Sequence, residues 1–221
     1  MNKKILISIL SIDRDANFIE KIYDPIKSHL SKQNIDLLII CREIDKQCQE
    51  KWKKICNKCI IKTIKNYSIL GRYNMDKICE KRNIAKNHAK ENNYDYLWFI
   101  DSDVIVNENS LEVMIKGCEQ YNADVCTIPG FIKNWNHVAI GVFENNSYQI
   151  RTASQDTKQG IKYKEGGGWM GCTLIKNTVF HIPFIIVNYN NVIAEDRGFM
   201  ISVHQNNFLC LYVENHPIIH L

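Results

Sequence analysis

No stretch of this chain approaches the ~20 consecutive apolar residues that a membrane span requires. Nor does the opening read as a secretory leader. The opening MNKKILISILSIDRD has an apolar run, Ile5 to Ile12, that is short and interrupted by serines, and Asp13-Arg14-Asp15 follows it where a small-residue cleavage site belongs. There is no strong charge imbalance. The formal net charge is +4, with acidic residues spread among the lysines. That balance argues against a dedicated nucleic-acid surface and leaves room for a local patch that takes a phosphorylated ligand. No internal repeat, low-complexity tract or linker divides the chain. Cysteine is plentiful, at nine residues, but Cys56-Asn57-Lys58-Cys59 is a lone C-x-x-C without two further ligands at fitting spacing. Cys79, Cys126, Cys172 and Cys210 lie in apolar patterns, where free cysteine serves as a small hydrophobe. These absences describe a soluble, cytoplasmic protein with no transmembrane segment and no nucleic-acid partner.

What remains is 221 residues, 45% apolar and 24% charged, enough for one sizeable core in a single domain. Ile5–Ile12, Ile35–Cys41 and Ile60–Ile64 read as strands. Between them lie helical patterns over Asn17–Leu30, lightly disturbed by Pro25, and over Ile44–Ile55. Strand and helix in alternation give a parallel sheet covered by helices. Past a polar loop, Asn66 to Met75, with Arg72, Asp76 offers an N-cap for a helix reaching about Asn92. Ser110–Tyr121 is a further helix, and Ala123–Pro129 a further strand. Val138–Phe143 and Tyr148–Arg151 then flank a turn as an antiparallel hairpin, so the second half is mixed. Asn191–Asn206 reads as a helix and Phe208–Val213 as a last strand.

The chemistry concentrates in YDYLWFIDSDVIV, Tyr94 to Val106. Leu97-Trp98-Phe99-Ile100 suits a strand buried on both faces. It ends at Asp101-Ser102-Asp103, two carboxylates one residue apart that need a counter-charge. Mg²⁺ or Mn²⁺ with phosphate oxygens supplies one; a polar strand end that caps the next element is the plainer alternative. Ligands of such sheets sit at the carboxyl ends of the strands, so Asp13 and Arg14 are expected to line the same crevice. Arg14 is equally readable as a solvated loop charge. Arg82 lies on the apolar stripe Ile78, Arg82, Ala85, Ala89, either snorkelling to the surface or reaching into the cleft toward a diphosphate. Gly166-Gly167-Gly168-Trp169 offers close backbone approach and a ring to stack on a sugar, or else a turn beside a core aromatic. Glu195-Asp196-Arg197 opens a helix, where acidic residues also complement the dipole.

In this order the motifs resemble the GT-A class of nucleotide-sugar-dependent glycosyltransferases. Lys81-Arg82-Asn83-Ile84-Ala85 followed by Asp101-Ser102-Asp103 looks like the "RN…A…D-x-D" signature of that class. Gly166–Gly171 resembles its glycine-rich acceptor segment, and Glu195-Asp196 the "ED" of family-2-like enzymes. Leu211 to His220 resembles their closing strand with its metal-binding histidine, a role for which His216 competes. The order and spacing are also similar to the Anp1/Mnn9 group. The resemblance implies a Rossmann-like α/β fold: a mostly parallel central sheet, a mixed acceptor-side half and helices on both faces. Residues 1–106 would form the nucleotide-sugar half and 107–221 the acceptor half of one domain. It implies Mn²⁺ or Mg²⁺ held by Asp101, Asp103 and His220, and a donor diphosphate met by Asp13, Arg14, Arg72, Arg82, Ser102 and Arg197. Gly167, Gly168 and Trp169 would face the acceptor, and Asp196, with Glu195, would serve as base in an inverting transfer. The donor would be a UDP-sugar and the acceptor a glycan, glycoprotein or lipid-linked hydroxyl. Rival readings are a haloacid-dehalogenase-type phosphatase, matched by Asp101-Ser102-Asp103-Val104, and an inactive sugar-nucleotide-binding module.

Overall fold

The first apolar run forms β1 (Ile5–Leu10), buried throughout. Ile5, Ile7 and Ile9 enter one core layer while Leu6 and Leu10 enter the other. A strand covered on both faces therefore shows no polar alternation. The structure, a computed structural model, describes residues 3–65, 75–132, 138–144, 147–153, 157–167, 170–189, 192–216 and 218–221. After β1, a 3-10 turn over Asp13–Phe18 leads into α1 (Ile19–Tyr23) and α2 (Lys27–Leu30). The single helix expected over Asn17–Leu30 is thus broken at Pro25, which has no N–H for the helix ladder and crowds the preceding turn. Its apolar stripe survives the break, with Ile22 and Ile26 buried and Phe18 and Leu30 packed on the same core.

β2 (Ile35–Arg42), α3 (Lys46–Ile55) and β3 (Ile60–Ile64) follow. Next, α4 (Met75–Glu91) begins one residue ahead of the expected cap Asp76 and leads to β4 (Tyr96–Asp101), β5 (Val104–Ile105) and α5 (Ser110–Tyr121). β6 (Val125–Thr127) and β7 (Gly130–Ile132) precede the expected antiparallel hairpin of β8 (Val138–Glu144) and β9 (Ser147–Ala153). Then come β10 (Lys162–Glu165), β11 (Cys172–Lys176), β12 (Val187–Tyr189), β13 (Val192–Ala194), α6 (Glu195–Gln205), β14 (Cys210–Glu214) and β15 (Ile218–His220). The helix expected from Asn191 starts later, because Val192–Ala194 pairs as a strand with Val187–Tyr189. Asn93, Asn122 and Asn207, just beyond α4, α5 and α6, take left-handed φ values of 56, 52 and 60°. Their short polar side chains tolerate that conformation and stop each helix without glycine.

The main sheet has eight strands in the order β10-β14-β6-β11-β4-β1-β2-β3. β1, β2, β3, β4, β6 and β14 point one way, and β11 and β10 run against them. Ile22, Trp52, Leu111 and Met114 cover one face, and Ala85, Ala89, Phe199 and Val203 the other. This is the mostly parallel, doubly covered sheet that the sequence implies. A small second sheet, β5-β15-β7, brings the final strand alongside the segment that leaves β4.

Candidate active site

The carboxyl end of β4 lies beside the carboxyl end of β1, with Asp101 opposite Leu10. Asp101 meets Arg82, whose Nη2 stands 3.1 and 3.4 Å from the two carboxylate oxygens. The Arg82 side chain is only 3% exposed and its guanidinium lies 5.4 Å from the Phe99 ring centroid and 6.0 Å from that of Phe184. It reaches inward and does not snorkel. A desolvated cation of this kind is retained only where carboxylate and aromatic faces compensate for lost water.

Ser102 turns into the fold, and its hydroxyl donates to Asp15 Oδ2 at 2.7 Å. Asp103 turns out and stands 3.4 Å from His220 Nε2, both side chains 27% exposed. The pairing of His220 with Val104 across β15 and β5 fixes this approach, as does the Leu221 N–H donated to the Asp103 carbonyl at 2.8 Å. The Asp103 hydrogen bond raises the His220 pKa, against the opposing pull of burial. His216 is elsewhere, sharing a 3.1 Å hydrogen bond with Ser110 Oγ, and burial lowers its pKa. Of the two rivals, His220 is the one that meets the D-x-D.

The loop after β1 departs from expectation in detail. Asp13 does sit at the carboxyl end of β1, but its Oδ1 accepts the Cys48 N–H at 2.8 Å and so caps α3. Beside it, Asp45, which the sequence did not single out, is buried and accepts the Arg42 N–H and Nε at 2.9 Å and Arg42 Nη2 at 2.6 Å. Burial alone would raise the Asp45 pKa, but the Arg42 contacts outweigh it and hold the carboxyl below its ordinary value. Arg14 Nε donates to Asp15 Oδ1 at 3.0 Å while its side chain stays 74% exposed. Lys81 was also missed. It is buried, its Nζ donates to the Ser11 carbonyl at 3.1 Å, and burial lowers its pKa. Its place one residue before Arg82, on a helix passing the ends of β1 and β4, was the available signal.

Next to Arg82 on α4, Asn83 grips the Phe184 peptide both ways, donating to its carbonyl and accepting its N–H at 2.9 Å each. Lys86 donates to the Ile182 carbonyl. Phe184 stacks on Phe199 of α6 at 4.2 Å and meets Phe99 edge-on at 5.5 Å. A Cβ on Gly198 would fall 2.2 Å from the Ile185 carbonyl oxygen, so glycine permits this close packing. The first turns of α6 are thereby fastened to the Arg82 turn of α4. Asp196 lies there, its Oδ1 accepting the Arg197 N–H at 2.6 Å, with Arg197 buried beside it. Glu195 is the first residue of α6. Gly167 packs against Met200, where a Cβ would sit 2.2 Å from Cε. Gly168, Trp169 and Arg72 fall outside the described residues. A shallow open depression lined by Glu165, Gly167, Met200, His204, Phe208 and Cys210 lies at the amino end of β14, at the opposite end of the sheet from Asp101.

Among the described residues no three His, Cys, Asp or Glu side chains converge as a closed metal cage. Asp103 and His220 offer two converging donors, which fits an ion that takes its remaining ligands from water and a phosphorylated substrate.

No family model matches this sequence, and no curated protein matches it significantly. Solved structures do match, at low identity. The 1–349 fragment of TarS from S. aureus superposes with a TM-score of 0.62 at 16% identity over 97% of this chain and 59% of that one. The chain thus spans about three fifths of that fragment's length. Glucosyl-3-phosphoglycerate synthase from Mycobacterium tuberculosis, crystallised with Mn²⁺, UDP and glucosyl-3-phosphoglycerate, gives 0.61 at 10% identity over 100% and 72%. The mannosyltransferase PcManGT from Pyrobaculum calidifontis, in complex with GDP-Man and Mn²⁺, gives 0.55 at 8% identity over 99% and 57%. The fold is the GT-A glycosyltransferase fold.

Proposed function

We propose that this chain is a glycosyltransferase that moves a sugar from a nucleotide-diphosphate sugar, with UDP as the favoured nucleotide, to a hydroxyl of a glycan, glycoprotein or lipid-linked acceptor. The observation that carries the reading is the pair of contacts at the carboxyl end of β4, Asp101 with Arg82 and Asp103 with His220. Breaking a sugar–diphosphate bond leaves negative charge on the departing nucleotide, and fixed cations in a partly dry site stabilise it without reorganising. Arg82 and Lys81 are such cations, already buried on one helix. Asp103 and His220 would hold Mn²⁺, with Asp101 beside them, and the bound ion would neutralise the diphosphate. TarS crystallised with UDP-GlcNAc, and the synthase with UDP, support the choice of nucleotide.

Arg14, Arg72 and Arg197 complete the donor side of this reading, and Ser102 shapes it. Asp13 stands on the donor side as well, with its Oδ1 capping α3. Gly168 and Trp169 face the acceptor in this reading, with Gly167 behind them against Met200. Asp196, assisted by Glu195, takes the proton of the attacking hydroxyl in an inverting displacement, because an alcohol needs a carboxylate within reach to attack at neutral pH. The family-2-like and Anp1/Mnn9 likeness of the motifs belongs to the same reading. A cytoplasmic location accords with nine free cysteines, since thiols persist in a reducing compartment. Among the described residues no helix is long and apolar enough to cross a membrane. The test is a thermal-shift panel of nucleotide sugars with and without Mn²⁺, since a ligand of the native state raises its stability. A shift with UDP-sugars in Mn²⁺, followed by slow release of UDP, supports the reading, and no shift with any nucleotide sugar overturns it.

A further inference from the structure

The middle residue of the Asp101-Ser102-Asp103 turn has a partner that the proposed chemistry does not use. Ser102 is buried and donates its hydroxyl to Asp15 Oδ2 at 2.7 Å. Asp15 is buried too, with its side chain 5% exposed, and its Oδ1 accepts Arg14 Nε at 3.0 Å. The two residues stand 87 positions apart, so one hydrogen bond ties the loop after β1 to the turn after β4. The Asp15 end is firmly seated. Its N–H donates to the Ile12 carbonyl at 3.0 Å, and the neighbouring Ala16 carbonyl accepts Lys51 Nζ of α3 at 3.2 Å.

A buried carboxylate is an expensive choice at this point. Its charge, partly offset by Arg14 at 3.0 Å, adds to a site that already holds Asp101 and Asp103 and is meant to receive a diphosphate. A neutral acceptor would hold a serine hydroxyl without that cost. The charge gives a shorter and stronger hydrogen bond, roughly twice the strength of a neutral pair. With Ser102 drawn inward by that bond, the carboxylates on either side stay partly exposed, Asp101 toward Arg82 and Asp103 toward His220.

We propose that Asp15 is a positioning residue for the metal turn. Acting through Ser102, it holds Asp103 where it meets His220, and so sets the affinity of the turn for a divalent cation. The inference rests on the metal-dependent donor binding proposed above. Supporting groups behind a metal ligand typically set affinity by about 10–100-fold.

The experiment titrates MnCl₂ into the full chain with UDP and follows UDP binding by calorimetry. It compares wild type, Asp15→Ala, Asp15→Asn, Ser102→Ala and the double variant Asp15→Ala/Ser102→Ala, with melting temperatures recorded alongside. Asp15→Ala and Ser102→Ala should each raise the half-saturating Mn²⁺ concentration by about 10-fold or more. The double variant should be no worse than either single one, because both remove the same bond. Asp15→Asn keeps an acceptor oxygen and should lose less than Asp15→Ala. Weak UDP binding in EDTA should be the same in wild type, Asp15→Ala and Asp15→Asn. If Asp15→Ala does not fold, Asp15→Asn and Ser102→Ala carry the comparison. Unchanged Mn²⁺ dependence with lowered melting temperatures would make the bond purely structural and overturn the proposal, as would losses that multiply in the double variant. A wild type that binds UDP without regard to Mn²⁺ would overturn both this inference and the reading beneath it.

Discussion

Replacing Arg82 with methionine keeps most of the side-chain volume and removes the guanidinium. Arg82 is 3% exposed while its partner Asp101 is 30% exposed, so the abandoned carboxylate would keep part of its water. Removing one partner of a fully buried pair costs about 3–5 kcal/mol, and the residual hydration of Asp101 sets the expectation at the lower end, about 3 kcal/mol. In a chain of this length that corresponds to a fall in melting temperature of about 6–12 °C. Donor affinity should fall separately. Loss of a charged hydrogen bond to a phosphate is worth about 1.5–3 kcal/mol, or about 10–100-fold in the UDP dissociation constant. Arg82→Lys keeps the charge without the planar fork and should lie between. Chemical denaturation and calorimetry with UDP in saturating Mn²⁺ give both quantities. A methionine variant within about 0.5 kcal/mol of wild type, with normal UDP affinity, would show that the cation serves neither purpose.

Asp196→Asn should keep UDP and Mn²⁺ affinity while transfer falls by about 10²-fold or more, and a product with retained anomeric configuration would remove the base role. A pH dependence follows from His216, whose folded pKa lies below its ordinary value of 6.5 because it is buried. The unfolded chain then binds the proton more readily, so this share of stability is whole above about 6.5 and drains as pH falls through the depressed folded value. His216→Gln should flatten the decline of melting temperature below pH 6.5, although His88, pushed the same way by burial, keeps its own share. An unchanged slope in that variant would count against the assignment.

The sequence speaks most clearly where a local pattern and a tertiary contact coincide. The run from Leu97 to Ile100 reads as a doubly buried strand because its apolarity is contiguous, and both faces are indeed covered. Arg82 announced itself by standing on an apolar stripe. Spacing says at which end of a strand a residue lies but not where its side chain turns, so the cap that Asp13 Oδ1 makes on α3 is not legible in the sequence. Nothing local marks Asp15 within Asp13-Arg14-Asp15, because its partner Ser102 is 87 residues away. Asn83 shows locally only as part of a motif, and its pair of hydrogen bonds to the Phe184 peptide spans 101 residues. The apolar stripe runs on through Pro25 and hides the break, and Val192–Ala194 reads as part of a helix although it pairs as a strand with Val187–Tyr189.

The central claim is that the Asp101-Ser102-Asp103 turn and His220 bind a divalent cation together with a nucleoside diphosphate. Calorimetry of UDP binding to wild type in Mn²⁺ and in EDTA, repeated with Asp103→Ala and His220→Ala, tests it most directly. The account predicts tight binding only for wild type in Mn²⁺, with Asp103→Ala losing about 10-fold or more because the ion is no longer held against the diphosphate. Full UDP affinity in EDTA, or in Asp103→Ala with Mn²⁺ present, would contradict it.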